Sequence, residues 1–264
     1  MRRTLLLAAL LLALGGTAGA QSEGDERARA LVDEMLTAMG GPEAWEQTRY
    51  LRFDWVVERE GETVADVKHL WDRYTGRYRV EWTNREGERI AALFSVNTRV
   101  GRALVNQQPV PDDEEQKYID QAYARFINDS YWLLMPWKLR DTGVKLEYAG
   151  EKTLAGKTYD LVHVSFGRVG LTPGDRYWAY ISRQSHLMER WAYFLQSFEG
   201  KPHLEGARPW EWRRWGKVGP LWLAQEKKRV GENTRIHFPV LLVLETVADE
   251  VFESFDVPMP GAGN

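Results

Sequence analysis

Hydrophobic positions change their period twice along this chain. Ala28, Leu31, Val32, Met35, Leu36 and Met39 recur at helical spacing and predict an N-terminal helix with one apolar face. Gly40 and Gly41 stop it and Pro42 follows, as residues just beyond a helix C-terminus commonly do. From Leu51 the period becomes two. Leu51, Phe53, Trp55 and Val57 alternate with Arg52, Asp54 and other polar residues, which predicts a half-buried strand. Turn residues at 60–62, 75–76 and 84–87 then separate three more strands: 64–74 with Trp71 inside it, 78–82 ending in Trp82, and 90–96 with Phe94. Short turns join antiparallel neighbours, so the pattern predicts a meander of hairpins.

The second change comes at Pro109–Glu115, a proline-acid segment that opens a helix. Tyr118, Ile119, Ala122, Tyr123, Phe126 and Ile127 keep helical spacing, and the apolar face runs on through Trp132, Leu133, Leu134 and Met135 to Trp137. Strands resume at 144–148 and 159–166. Thr172-Pro173-Gly174-Asp175 is a strong turn signal, since Pro fixes φ and Gly permits a positive one. Two aromatic strands follow, 175–181 with Trp178 and 188–194 with Trp191, joined by Ser182-Arg183-Gln184-Ser185-His186. After a loop at 199–209 comes Trp210-Glu211-Trp212-Arg213-Arg214-Trp215. Its spacing places Trp210 and Trp212 on one side of a strand, Arg213 and Trp215 on the other. It reads either as an exposed aromatic-basic patch or as a packed edge strand with solvated arginines. Segments 221–230, 234–238 and 241–247 read as closing strands, and the tail after Val257 is expected to fray. The fold class is therefore α+β, mainly an antiparallel sheet with a few helices.

The first twenty residues supply an address. Arg2 and Arg3 precede an apolar run from Thr4 to Leu14, and Ala18-Gly19-Ala20 is a small-x-small cleavage pattern. The run is shorter than the roughly 20 residues a spanning helix needs. Residues 1–20 are expected to be a cleaved signal peptide, and 21–264 a single periplasmic domain with no transmembrane segment. The count of Cys is 0, which removes disulfides and thiolate metal sites. Apolar residues make up 44% of the chain and charged ones 28%, enough for a packed core. The net charge of -3 argues against nucleic acid as a partner. The unusual feature is 12 Trp beside 11 Tyr and 9 Phe, stiff aromatic area that fills cores or lines pockets.

No motif names a reaction. The five histidines, His69, His163, His186, His203 and His237, show no metal-ligand spacing, so no metal or other cofactor is expected. There is no nucleophile elbow and no phosphate-cradling Gly-rich loop. The acids at 112–115 suit a helix N-terminus through its dipole. A carboxylate pair of the glycosidase kind is recognisable only by its spatial separation. The expectation is a non-enzyme, with a hydrolase of sugars or lipids as the less favoured alternative.

Four places, the helix ending Met39-Gly40-Gly41, the strand 51–57, the run Tyr131–Pro136 and the segment Leu171–Tyr193, resemble the bacterial LolA/LolB-like lipoprotein-carrier superfamily. The likeness is to its uncharacterised, outer-membrane lipoprotein-sorting-like secreted members. One departure is the turn at 182–186, where the family pattern has an Asp and a Thr. The resemblance implies a curved antiparallel sheet, an incomplete barrel, with helices covering an apolar concave face that accepts acyl chains. Under it, Trp55, Trp71, Trp82, Phe94, Trp178 and Trp191 are candidate lining residues of the hollow. Phe126, Trp132, Leu133 and Met135 are candidate lid residues; the alternative is ordinary helix-on-sheet core. Alternation gives relative faces within each strand but not which face is concave. The expected function is binding or carriage of a hydrophobic ligand, lipid or lipoprotein acyl chain. The alternative is a cell-envelope structural or interaction protein with a filled core and a protein partner.

Overall fold

The computed structural model describes residues 23–166 and 174–261. The expected signal peptide and the Thr172-Pro173 half of the predicted turn lie outside the described residues. β1 (Glu23–Gly24) leads into α1 (Glu26–Ala38) and α2 (Gly41–Gln47). A meander follows: β2 (Tyr50–Arg59), β3 (Glu62–Asp72), β4 (Arg77–Thr83), β5 (Arg89–Ser95), β6 (Gly101–Val105) and β7 (Gln108–Pro109). Then come α3 (Asp112–Lys138), β8 (Val144–Leu154), β9 (Lys157–Phe166), β10 (Arg176–Ser182) and β11 (Met188–Phe194). The chain closes with β12 (Arg208–Val218), β13 (Leu221–Arg229), β14 (Thr234–His237), β15 (Leu241–Leu244) and the short α4 (Glu250–Glu253).

Among the described residues the strands form one sheet in the order β1-β8-β9-β10-β11-β12-β13-β14-β2-β3-β4-β5-β6-β7, with β15 also on β2. Every pairing is antiparallel except β1 with β8. The outermost strands β1 and β7 do not pair with each other, so the sheet stays open as an incomplete barrel. The predicted meander is present. The sequence pattern did not mark β6 and β7, which are only five and two residues long.

Register sorts the side chains into two faces. Trp55, Val67, Trp82 and Ile90 lie opposite one another across four strands, as do Phe53, His69, Val80 and Ala92, and Leu51, Trp71, Tyr78 and Phe94. This face meets the helices. The intervening residues, Arg52, Leu70 and Arg79 in one row and Asp54, Lys68 and Glu81 in the next, line the outer face.

α1 is capped by Asp25, whose carboxylate accepts from the Ala28 N–H at 2.6 Å, and it buries Ala28, Val32, Met35 and Leu36. Gly40 follows in a left-handed conformation (φ 116°), and a Cβ there would meet the Pro220 carbonyl oxygen at 2.7 Å. That close approach brings the Trp222 N–H onto the Met39 carbonyl at 2.9 Å and ties the helix end to the β12–β13 turn.

α3 is one continuous helix of 27 residues, so the apolar run 130–137 is its second half rather than a connection. Four acids occupy its first turn, where they favour the positive end of the helix dipole. Its buried stripe is Ile119, Ala122, Phe126, Asp129, Ser130, Leu133 and Trp137, with Leu134, Met135 and Pro136 also buried near the end. Trp137 stacks on Trp45 of α2 at 5.3 Å between ring centroids.

Two expectations need correction. Residues 258–261 of the tail expected to fray are not frayed: together with the segment before them they strap across the outer face, and 262–264 lie outside the described residues. The Arg79 guanidinium donates to the carbonyls of Val251 (3.0 Å), Ser254 (3.1 Å) and Val257 (2.7 Å), and Arg52 donates to that of Pro260 (3.0 Å). Trp210–Trp215 is packed with Arg213 and Arg214 exposed, as the second of its two readings has it, and not an exposed aromatic patch, but the strand is not at an edge. β12 lies between β11 and β13, Trp210 and Trp212 are buried, and Trp215 packs with its ring 6.3 Å from that of Trp212. Arg214 adopts a positive φ of 55°, which breaks the alternation that would have put Trp215 beside Arg213.

The strap makes a testable demand. Arg79→Met leaves four carbonyls, those of Val251, Ser254, Phe255 and Val257, and the Glu81 carboxylate without their donor. It is expected to lower the unfolding free energy by roughly 2–4 kcal/mol and to open the segment after Phe252 to proteolysis. Urea unfolding and limited proteolysis check this; unchanged behaviour in both would contradict it.

Candidate functional site

The inner face of the sheet is an aromatic floor and α3 is its roof. Trp55, Trp82, Phe94, Phe126, Leu133, Met135 and Trp191 are buried in one apolar cluster, with Trp71 and Trp132 half-buried against it. Phe126 sits edge-on to Trp71 (5.1 Å) and to Tyr78 (4.9 Å). Trp132 meets Trp191 and Trp210 edge-on, each at 4.8 Å. Nine of the ten predicted lining and lid residues are thus brought together. Trp178 is not: it pairs across from Ala192 and packs on the outer face with Tyr159, Leu161, Tyr180 and Phe194. Period two decides this, because Tyr177 and Ala179 take the inner positions of β10.

In the form described, the space between floor and roof is occupied. Met35 and Met39 from the α1 end and Leu134 and Met135 from α3 are completely buried. Cavities open at the margins instead. One of about 400 Å³ lies at the seam between α3 and the β4–β5 turn, lined by Trp82, Asn84, Arg125, Asn128 and Asp129 among others. A larger one, about 810 Å³, lies on the outer face beside the C-terminal strap, among Arg52, Lys68, Arg79, Glu81 and Met259.

At the inner end of the seam cavity, polar groups enter the apolar roof. Asp129 lies on the buried stripe of α3, completely shielded, with Oδ2 3.3 Å from His69 Nε2. The other imidazole nitrogen is 2.9 Å from the Tyr78 hydroxyl. His69 also stacks on Phe53 at 4.4 Å. Asp129 accepts from Asn128 at 2.7 Å and has Arg125 at 3.9 Å, toward the cavity. Burial holds the His69 pKa below its ordinary value despite Asp129, which favours the charged form. Burial also drives the Tyr78 hydroxyl well above its ordinary value. The chain Tyr78–His69–Asp129 fastens roof to floor with a neutral imidazole between a phenol and a carboxylate.

The second polar intrusion is Lys227 on β13. It is completely buried, opposite Trp212 in the register, with Nζ 4.3 Å from the Trp212 ring centre and 4.4 Å from that of Phe238. Nζ donates to the Ala224 carbonyl at 2.6 Å. No ion pair to it occurs among the described residues. Burial pushes its pKa well below the usual ammonium range.

Several buried hydrogen-bond donors are unpartnered here. The buried indole N–H groups of Trp55, Trp71, Trp137, Trp191, Trp210, Trp212 and Trp215 have no acceptor among the described residues. An indole N–H is a donor only, and a buried one left unmade costs about 1–3 kcal/mol.

Sequence reasoning did not single out His69, Asp129, Tyr78 or Lys227. Two signals were available. Asp129 interrupts the apolar stripe of α3 in register, and His69 takes the inward position between Val67 and Trp71. Neither residue announces its partner, because the contact joins segments far apart in the chain. Among the described residues no group of three or more His, Asp or Glu is arranged to hold a metal ion. No helix of the described residues is long and apolar enough to cross a membrane.

Both buried bases make stability depend on pH in the same direction. Between its depressed native pKa and the ordinary 6.5, His69 carries a proton in the unfolded chain but not in the native one. Stability therefore falls as pH drops below about 6.5, by up to about 1.4 kcal/mol per pH unit, and His69→Phe flattens that fall. For Lys227 the corresponding window runs up to 10.5, so stability rises with pH above neutrality and Lys227→Met removes the rise. Urea unfolding of parent and variants at pH steps from about 5 to 9.5 checks both.

No protein-family model matches the chain, and no curated protein matches it in sequence. Solved structures do match. A LolA superfamily protein from Nitrosomonas europaea is 9% identical, the match covering 87% of this chain and 99% of that one with a TM-score of 0.49. A DUF1329 family protein from Desulfovibrio piger is 10% identical over 85% and 96% of the two chains, TM-score 0.48. An outer-membrane lipoprotein-sorting protein domain from Vibrio parahaemolyticus is 6% identical over 86% and 96%, TM-score 0.46.

Proposed function

We propose that this protein binds or carries a hydrophobic ligand, a lipid or lipoprotein acyl chain, between the aromatic inner face of the sheet and α3, in the periplasm. The observation that carries the reading is the unsatisfied donor set. A core serving stability alone gains nothing from seven buried indole N–H groups without acceptors among the described residues. A ligand bearing ester or acid oxygens supplies those acceptors while its chain takes the place of the side chains that fill the space. Each methylene buried contributes about 0.8 kcal/mol, so a long acyl chain offsets the cost of lifting α3. α3 suits the part of a lid. It covers the floor as a single helix, its Met135 adapts to varied shapes, and the 400 Å³ cavity already parts it from the β4–β5 turn.

The test is lipid mass spectrometry on gently purified protein, followed by titration of the delipidated protein with a fatty acid while tryptophan emission is recorded. Lipid is expected to co-purify. Emission is expected to change on titration, and Trp132→Phe, which alters the ring between Trp191 and Trp210, is expected to reduce that change. Absence of lipid together with flat emission would refute the reading.

A second reading is favoured by one observation, the filled space under α3. In it the protein is an envelope interaction protein whose aromatic core is structural. The same titration separates the two, since a permanently filled core gives no emission change.

A further inference from the structure

The buried donors are not spread evenly over the inner face. Trp191, Trp210, Trp212 and Trp215 form one aromatic group on β11 and β12, linked by Trp191–Trp212 at 5.5 Å, Trp212–Trp215 at 6.3 Å and the shared neighbour Trp132. All four indole N–H groups are buried and have no acceptor among the described residues. Lys227 joins this group through the Trp212 ring. Its amine is fully buried and has a single polar partner, the Ala224 carbonyl. Two cross-strand neighbours of Lys227, Trp212 and Ile236, carry no charge. Glu226, the adjacent carboxylate, engages Arg213 and Arg235.

From this geometry we infer that the inner face of β11–β13 seats the head group of a long-chain carboxylic acid, with Lys227 Nζ as its anchor and the neighbouring indole N–H groups as further donors. The inference rests on the hydrophobic-ligand reading and adds the chemistry of the head group. Charge balance supports it. A lysine held in apolar surroundings favours its uncharged form, and a fatty acid entering from an apolar phase is uncharged too. Once they meet, the proton passes from the carboxyl oxygen to Nζ. An ammonium and a carboxylate result, paired at contact, and no net charge is added to the interior. An ester head lacks that proton and accepts only weaker, neutral hydrogen bonds. Lys227 lines none of the cavities described above, so the acid reaches it by displacing side chains under the second half of α3.

Binding of palmitic acid and of methyl palmitate to the delipidated full chain tests this, in the parent and in Lys227→Met. The parent is expected to bind the acid at least roughly tenfold more tightly than the ester, the difference a charge-assisted pair confers. Lys227→Met, close in volume and without the buried amine, is expected to fold normally and to bind acid and ester with equal affinity, losing the preference for the acid. An independent readout in the parent is the NMR signal of ¹³C-labelled lysine side chains: the Lys227 resonance should move to the ammonium position on adding the acid and stay put on adding the ester. Equal affinity for acid and ester, a preference that survives Lys227→Met, or an unmoved resonance with acid bound would each overturn the anchor while leaving the hydrophobic-ligand reading intact. Failure of the parent to bind either molecule would overturn both.

Discussion

The inner face of the sheet cannot be left uncovered, and that constraint organises everything else. Rows such as Trp55–Val67–Trp82–Ile90 and Leu51–Trp71–Tyr78–Phe94 run across four strands without a charged break. A large apolar side chain exposed instead of buried costs about 1.5–3 kcal/mol, so this surface must find a partner. α3 supplies most of it and α1 the remainder. The stripe on α3 is the one its helical period dictates, apolar from Ile119 to Trp137 with a single charged interruption at Asp129. That interruption lies against His69, Oδ2 to Nε2 3.3 Å apart, where the helix crosses the sheet. A shielded carboxylate tolerates only one seat, whereas an apolar stripe tolerates several.

The same roofed space is polar in an asymmetric way. Its tryptophans and its buried lysine offer donors, several of them unpartnered among the described residues. Folding alone gives no reason to keep such an imbalance, since each unmade bond is lost to water on burial. A ligand rich in oxygen removes it. The aromatic floor, the single-helix roof and the unpartnered donors meet in one half-barrel, and the proposed ligand reading rests on their coincidence.

The outer face has been given the opposite chemistry. Arg52, Asp54, Lys68, Arg79 and Glu81 form a charged lattice over which the C-terminal segment is laid. Arg79 is nearly inaccessible, and its bonds to four carbonyls of that segment replace the water that a guanidinium requires. Capped in this way, the outer surface of β2–β4 leaves the inner face as the one suited to an apolar guest.

The alternation in β2 to β5, the helical periods of α1 and α3, and the aromatic pair β10–β11 were all legible, because each is a local property of ten or so residues. What those residues face was not. Period two sets Tyr177 and Trp178 on opposite faces of β10 but leaves open which of them points inward, and so Trp178 could be assigned to the hollow although it packs outside it. Arg214 turned Trp215 through a backbone conformation that no side-chain pattern predicts. The strap at the C-terminus was invisible because its partners, Arg52 and Arg79, lie at the other end of the chain. The chain by itself determined its elements and its wealth of aromatic donors. Only the tertiary structure decided that His69 meets Asp129 and that Lys227, with no counter-ion among the described residues, lies beside Trp212, because such contacts depend on strand order and on where the roof settles, not on spacing along the chain.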